Sequence, residues 1–469
     1  MDPLLKKALF IFRRDLRLED NTGLINALEE SKQVLPVFIL DPRLLNQVTA
    51  HRNAIQFMFE ALHDLDNQLQ QKQSQLHVFE GIPEIILPKL ITSYDLDCVY
   101  INRDYSPFSR RRDARIQKIC EDTKIDFKQF ADALLNEPET ISTKKNDPYK
   151  VFTPFFRNAV GIPISTPKKN SYTNYTALPR KHQKKLTQIL TQKKTDYNDS
   201  LLIPGTRDAG LNILDNLQAF KEYEITRDIP SQHGTTQLSA YIKFGLCSIR
   251  EVYSAIVDQL GPSHPLLRQL YWRDFYTHIA YHYPHVFTGA FKRRYDGIQW
   301  NRDKILFESW CQGKTGFPIV DAGMRELNST GWMHNRVRMI VASFLTKDLH
   351  ISWQWGERYF AEKLIDYDPA VNNGNWQWSA STGVDAQPYF RIFNPWRQQE
   401  KYDPDCKYIK QWIPAFAKVE PTTIHSWNKS TENDSHINYP KPIVDHKQES
   451  QYSKELYKST FLSNTNEWD

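Results

Sequence analysis

Cysteine is scarce: five residues in 469, scattered at Cys98, Cys120, Cys247, Cys311 and Cys406, odd in number and with no Cys-x-x-Cys pair. That excludes a disulfide framework and a cysteine-type zinc site, and points to a reducing, cytosolic compartment. No apolar run is long enough to span a membrane. The N-terminus runs straight into a strand pattern rather than a signal peptide. No Gly-x-Gly-x-x-Gly follows the first apolar run, so the dinucleotide fingerprint is missing. His278 and His282 share a helical face, but no Glu follows His278 to complete His-Glu-x-x-His, and no metal is expected. There are no internal repeats.

What is present is ordinary for a globular protein, with 40% hydrophobic and 25% charged residues, except for aromatics. These reach 13%, with 12 Trp, which leaves rings over to line a site. The net charge of +5 fits a polyanionic partner without requiring one.

Residues 8 to about 135 alternate strand and helix patterns. Ala8–Phe12, Val34–Leu40, Leu76–Phe79, Cys98–Ile101 and Phe127–Phe130 read as buried strands, and Ala54–Leu69 as an amphipathic helix. This predicts an α/β, Rossmann-like domain over 1–135, with a parallel sheet covered on both faces. Such sheets bind ligands at the carboxyl ends of their strands. Arg13, Arg14 and Arg17 fall at such an edge; by themselves they read as a solvated ion network with Asp15, Glu19 and Asp20. Residues 136–205, rich in Pro, Ser, Thr, Lys and Gln from about 160, read as a linker. Helical spacing dominates 206–425, with predicted helices at 209–220, 239–260, 266–281, 317–329, 335–344 and 351–365, so this is a large all-α domain. Residues 426–469 form a polar tail, expected to be poorly ordered.

Several stretches carry candidate chemistry. Asp366-Tyr-Asp368-Pro-Ala-Val-Asn372-Asn-Gly-Asn-Trp376-Gln-Trp378 places two carboxylates ahead of an amide-rich glycine stretch and two tryptophans. Asn and Gly there have turn chemistry, able to bring amide groups against a flat polar ligand. A helical corner with two core tryptophans is the plain alternative. His233-Gly-Thr235-Thr-Gln-Leu-Ser239 opens a helix, where hydroxyls and free N–H groups suit an anion; a simple N-cap at Ser239 is the alternative. Trp272 and Arg273 share a helix with Gln269. Arg338 is positioned to pair with Asp366 or Asp368. Arg391 and Arg397, interleaved with aromatics, suit a nucleic-acid backbone or a solvated face.

Taken in order, Phe12-Arg-Arg-Asp-Leu-Arg-Leu-Glu-Asp-Asn21, Tyr149-Lys-Val-Phe-Thr-Pro-Phe155, Thr235–Ser239, Trp272–Tyr276, Gly331-Trp-Met-His-Asn-Arg-Val-Arg338 and Asn372–Trp378 resemble the photolyase/cryptochrome flavoproteins over about residues 8–415. Other details resemble the class I enzymes that repair cyclobutane pyrimidine dimers. The resemblance implies FAD folded into a U in the helical domain. Tyr223, Thr235, Thr236, Leu238 and Ser239 would serve its phosphate side. Asp366 and Asp368 would meet the ribityl and isoalloxazine polar edge, with Arg338 partnering Asp366, and Asn372 would stand at flavin N5. Blue-light electron transfer from reduced FAD would split the dimer. Trp272 and Trp378 would wall the lesion pocket, Gln269, Asn335 and Met339 would contact the lesion, and Arg227, Arg273, Arg336, Arg391 and Arg397 would contact DNA phosphates. Trp376, Trp353 and Trp300 would relay electrons to the flavin from the surface.

A second, antenna chromophore is also implied, either 8-hydroxy-5-deazaflavin or methenyltetrahydrofolate. UV-damaged DNA is the implied partner, with no membrane, and the protein is expected to be a cytoplasmic monomer. Gln269 departs from the Glu usual in dimer-repairing enzymes and is more typical of 6–4 photolyases and cryptochromes. A cryptochrome-like photoreceptor or a 6–4 photoproduct photolyase is therefore the alternative reading.

Overall fold

In the computed structural model, which describes residues 5–45, 52–176, 197–429 and 437–462, the first apolar run becomes strand β1 (Leu5–Phe12). It lies at the centre of a parallel five-stranded sheet of order β3-β2-β1-β4-β5, with β2 Ser31–Leu40, β3 His77–Glu80, β4 Cys98–Asn102 and β5 Asp126–Phe130. Side chains alternate across the pleat. Leu9 and Ile11 join Leu35, Val37 and Val99 under helices α3 (Pro83–Tyr94) and α4 (Pro107–Asp122), through Leu87, Leu90 and Ile116. Ala8, Phe10 and Phe12 face the other way, towards α1 (Thr22–Glu30) and α2 (Arg52–Gln71). The same cluster continues into Tyr241, Phe244 and Ile249. One cover of the sheet is thus shared with the helical half. Burying each such large apolar side chain contributes about 1.5–3 kcal/mol.

The described part of the linker lies along the sheet domain. Thr176 N donates to Val34 O at 2.8 Å and Val34 N to Asn174 O at 3.0 Å, extending the β2 edge. Residues 177–196, within the predicted linker, lie outside the described residues, as do 430–436 and 463–469 of the predicted tail.

In the helical half, α5 (Phe152–Ala159) and α6 (Arg207–Asp215) precede the helices of the site. The predicted helix 239–260 is two helices, α7 (Ser239–Phe244) and α8 (Ile249–Leu260). Gly245 ends α7 at φ +70°, and a β-carbon on it would meet Arg14 O at 2.3 Å. The break is the place where the sheet domain presses in. Next come α9 (Pro265–His282), α10 (Pro318–Thr330), α11 (Asn335–Lys347), α12 (Trp353–Lys363) and α13 (Pro369–Ser379).

Three expectations are corrected. Asn372-Asn-Gly-Asn is not a turn: all four residues lie inside α13. Gly374 is there because α9 approaches closely, and a β-carbon would sit 2.1 Å from Tyr276 Cδ1. The arginines after β1 are not a local solvated network either. Arg13 pairs with Asp113, Arg14 with Asp104 and Asp368, and Arg17 with Asp132. Finally, the polar tail folds: α14 (His446–Leu462) seats Tyr457, fully buried, with its OH donating to Ala380 O at 2.6 Å. It is tied down by His446 against Asp348 and by His350 Nε2 to Glu449 Oε2 at 2.6 Å. Its polar composition reflects one solvated face rather than disorder.

Candidate active site

A cavity of about 470 Å³ opens among α7, α8, α9, α11 and α13. Ser239 and Asp366 lie 127 residues apart in the chain, and the helices bring them together at this cavity.

At one end lie Tyr223, Arg227, Thr235, Thr236, Leu238 and Ser239. Arg227 sits 5.4 Å from the Tyr223 ring centroid, which holds its charge at this end. Ser239 is not an N-cap. Leu238 occupies that position, and Ser239 Oγ donates to Asp366 Oδ2 at 2.8 Å.

In the middle stand the carboxylates. Arg338 meets Asp366 with both terminal nitrogens, each at 3.2 Å, while its Nε donates to Met333 O at 2.8 Å. The fork-on-fork arrangement fixes both partners in orientation. Asp368 caps α13, accepting from Ala370 N at 3.0 Å and Val371 N at 3.2 Å through Oδ1. Its Oδ2 pairs with Arg14 of the sheet domain. Burial alone would push this carboxyl up, but Arg14, Lys243 and Arg273 outweigh it and hold it down at about 2. Lys243 in turn is brought down to about 7 by burial and then by the Arg14 charge. One turn along α13, Asn372 is buried and donates its amide to Glu357 O at 3.1 Å, which orients the group. Burial raises the neighbouring Glu357 carboxyl to about 7.

At the mouth, Gln269, Trp272, Asn335, Met339 and Trp378 line the same cavity. Trp272 is held flat by Phe152 of α5, ring centroids 3.5 Å apart at 6°. Asn335 Nδ2 lies 3.7 Å from Met339 Sδ, one helical turn apart on α11. Both Trp272 and Trp378 are half-buried, so the ring walls are partly open to solvent.

Of the three tryptophans expected to relay electrons, Trp376 alone lines the cavity. Trp376 lines it and is otherwise buried, with Phe360 at 4.9 Å edge-on and Gly356 leaving room for its ring. Trp353 is buried and Trp300 half-buried, edge-on to Tyr457 at 6.1 Å and 84°.

The proposed phosphate contacts divide. Arg227, at the cavity, is half-buried, and Arg391 and Arg397 are exposed. Arg336 is half-buried, bonded to Asp228 at 2.9 Å and stacked 4.4 Å from the Tyr402 centroid. Arg273 turns inward, its Nη1 donating to Ala133 O at 2.7 Å. A DNA contact through it would require that bond to be given up.

Sequence reasoning missed Arg14, Lys243 and Glu357. Arg14 looked locally paired, Lys243 sits in a short apolar run, and Glu357 lies mid-helix. Nothing in their immediate neighbourhoods marks them.

The donor set fits a long, amphipathic, polyanionic ligand with a flat polar head. Hydroxyls and a cation stand at one end, an Arg-braced carboxylate and an amide in the middle, and rings at the mouth. The volume lies within the ordinary range for ligand sites, about 300–1,000 Å³.

Comparison with known proteins agrees with this. Residues 8–187 match the family described as DNA photolyase, and residues 266–459 match the FAD binding domain of DNA photolyase. The deoxyribodipyrimidine photo-lyase of Synechococcus sp. is 36% identical, the match covering 96% of each chain. Among solved structures, the archaeal photolyase from Sulfolobus tokodaii with two FAD molecules is 42% identical, with a TM-score of 0.87, covering 97% of this chain and 100% of its own. A cryptochrome from Synechocystis sp. is 27% identical, with a TM-score of 0.86 and coverage of 97% and 100%. Matched in both halves and over nearly its whole length, the chain belongs to the DNA photolyase family.

Proposed function

We propose that this chain is a light-driven DNA repair enzyme that splits cyclobutane pyrimidine dimers, acting as a deoxyribodipyrimidine photolyase with FAD as its cofactor. The observation that carries the reading is the continuity of the cavity. A mouth walled by Trp272 and Trp378 opens directly onto the pocket braced by Arg338 and Asp366.

When bound, reduced FAD excited by blue light supplies one electron to the dimer, whose ring opens before the electron returns. The protein supplies place and field. Thr235, Thr236 and Ser239 hold the phosphate side, with Tyr223 and Leu238 packed beside them. Asp366 and Asp368 hold the polar edge, and Asn372 presents a neutral amide at the reactive nitrogen. Photolyases are among the enzymes that extrude their target, and a damaged, poorly stacked pair is cheap to pull out. Trp272 and Trp378 would grip its faces, while Gln269, Asn335 and Met339 would read its edges. Arg227, Arg336, Arg391 and Arg397 would carry the flanking phosphates, with Arg273 supporting from within. Trp376, Trp353 and Trp300 would deliver electrons from the surface.

The antenna is a second chromophore of the sheet domain. The sequence leaves deazaflavin and folate open, and the Sulfolobus tokodaii relative, which holds two FAD molecules, adds a flavin to the choices. Five buried free thiols support a reducing cytoplasm, and we read the working unit as a monomer. Among the described residues, no helix is long and apolar enough to cross a membrane.

Gln269 at the mouth favours one second reading, a 6–4 enzyme or a cryptochrome-like receptor. Illumination of the reduced protein with defined lesions tests both. Restoration of pyrimidines from cyclobutane dimers is expected. Repair of 6–4 lesions alone, or flavin photoreduction with no repair, would select the alternative.

A further inference from the structure

We propose that Arg14, at the tip of the sheet domain's first strand, is a positioning residue of the flavin site: it holds Asp368 in place as a carboxylate beneath the helix that carries Asn372. This rests on the flavin reading above and adds a role for a residue outside the helical domain.

The geometry is specific. Arg14 uses three nitrogens on three partners: Nη2 on Asp368, Nη1 on Asp104 Oδ1 at 3.3 Å, and Nε on Lys243 O at 3.2 Å. Its backbone is fixed too, because Leu16 N donates to Phe244 O at 3.0 Å and Gly245 packs against Arg14 O. Asp368 is shared in the same way. Oδ1 caps α13 and Oδ2 takes the guanidinium, so the first turn of α13 is bolted to the strand tip of another domain. Asn372 lies one turn further on, its N–H donating to Asp368 O at 2.8 Å. A pocket of only about 30 Å³ lies on the Arg14 side of the pair, while Asp368 also borders the large cavity.

Every charged or titratable group facing Asp368 points to Arg14 as the dominant partner. From α7, Lys243, brought down to about 7, carries only part of its charge at neutrality and acts on Asp368 after Arg14. From α9, Arg273 is already engaged by Ala133 O and lies 3.5 Å from Asp274, whose own carboxyl burial raises to about 7. Beside it in sequence, Tyr367 is a buried phenol raised by desolvation. Asp104, across the pair, is itself held low against burial by Arg14, Arg112, Arg13 and Lys243. Without Arg14 the largest charge opposing burial is gone, and the Asp368 carboxyl titrates at higher pH.

The test is a pH titration of bound-flavin absorbance in the full-length protein. Wild type should be flat from about pH 4 to pH 6, above the range of a cation-paired carboxylate and below the titration of Lys243 and Glu357 at about 7. Arg14→Gln should acquire a one-proton transition in that window, and Arg14→Gln/Asp368→Asn should lose it. Arg14→Lys, which keeps the charge but not the three-way grip, should show the same transition shifted to lower pH. If Arg14→Gln does not fold, a Lys variant as flat as wild type overturns the proposal. A Gln variant that melts earlier yet titrates flat also overturns it, because Arg14 is then only a clamp between domains. Wild-type protein that binds no flavin would remove the cofactor reading itself, which separates the two failures.

Discussion

Tyr276 and Gly374 are in such close contact that any side chain on the glycine would occupy the tyrosine ring: a β-carbon there lies 2.1 Å from Tyr276 Cδ1 and 2.6 Å from Cε1. Tyr276 is buried in α9, the helix that also carries Gln269, Trp272 and Arg273. Gly374 lies between Asn372 and Trp376 in α13. Their contact therefore sets the distance between α9 and α13, both of which line the cavity.

Gly374→Ala should force the two helices apart. Overpacking of this kind costs typically about 1–3 kcal/mol, and a helical Ala for Gly recovers about 1 kcal/mol of propensity. The net effect expected is a modest loss of stability with a larger loss of flavin retention. Thermal unfolding and flavin content of the purified variant measure the two separately. A variant that keeps its flavin would show that the spacing is not critical.

This contact also shows where sequence reasoning reached its limit. Asn372–Asn375 has the composition of a turn, because Asn and Gly both accept left-handed backbone, yet here glycine serves a close approach from a helix 98 residues away. The arginines after β1 fail to announce their partners for the same reason, since Asp113, Asp132 and Asp368 are close only in three dimensions. The strands were legible because a short continuous apolar run such as Ala8–Phe12 is a local property, demanded by a parallel sheet buried on both faces. On the residues alone Arg338 was open to either Asp366 or Asp368, and only the resemblance singled out Asp366. The terminal helix was missed because a mostly solvated helix has the composition of a tail, although it buries the Tyr457 ring fully.

That ring leads to a second prediction. Trp300 meets Tyr457 edge-on, while Trp376 lies against the cavity. Trp300→Phe removes the oxidisable indole proposed as the outer end of the relay while keeping an aromatic ring beside Tyr457. Light-driven reduction of the oxidised flavin should fall by at least about tenfold, equivalent to about 1.4 kcal/mol on the barrier. Repair by chemically reduced protein should be unchanged. Loss of both activities would dissolve the relay assignment.

Lys347 supplies a third. Its Nζ lies 3.4 Å from the Tyr457 ring centroid and donates to Ser381 Oγ at 3.1 Å, and among the described residues no carboxylate is bonded to it. Burial pushes its pKa well below the ordinary lysine value. The folded state thus binds this proton more weakly than the unfolded chain does. Stability is therefore lost as pH falls below the unfolded value, about 10.4, until the folded value is reached, and it rises with pH inside that window. Lys347→Met should raise the melting temperature at neutral pH and flatten the alkaline rise. Replacing a poorly compensated buried charge by an apolar group of similar length is often neutral or stabilising by about 1–4 kcal/mol. Melting curves of both proteins between pH 7 and pH 10 decide it, and a destabilised Met variant with the slope intact would mean that the ammonium–ring contact outweighs burial.

Gln269 bears on lesion choice. It lines the mouth with Trp272, Asn335 and Met339, where an amide N–H can donate to a pyrimidine carbonyl at any pH. A carboxyl group in the same place donates only when protonated, but then does so to a base that gains negative charge as the electron arrives, where a more acidic donor binds more strongly. Gln269→Glu should therefore raise the quantum yield of dimer splitting at mildly acid pH and lose that gain as pH rises through the carboxyl's pKa. Wild type should stay flat over the same range. The change expected is about two- to tenfold, up to about 1.4 kcal/mol for one strengthened hydrogen bond. Repair yields per absorbed photon, measured with single-dimer oligonucleotides between about pH 5.5 and pH 8.5, span the carboxyl range of a partly buried Glu. A Glu variant with unaltered yield and no pH dependence would place residue 269 away from the reacting carbonyls, and the lesion would then be read by Asn335 and Met339 alone.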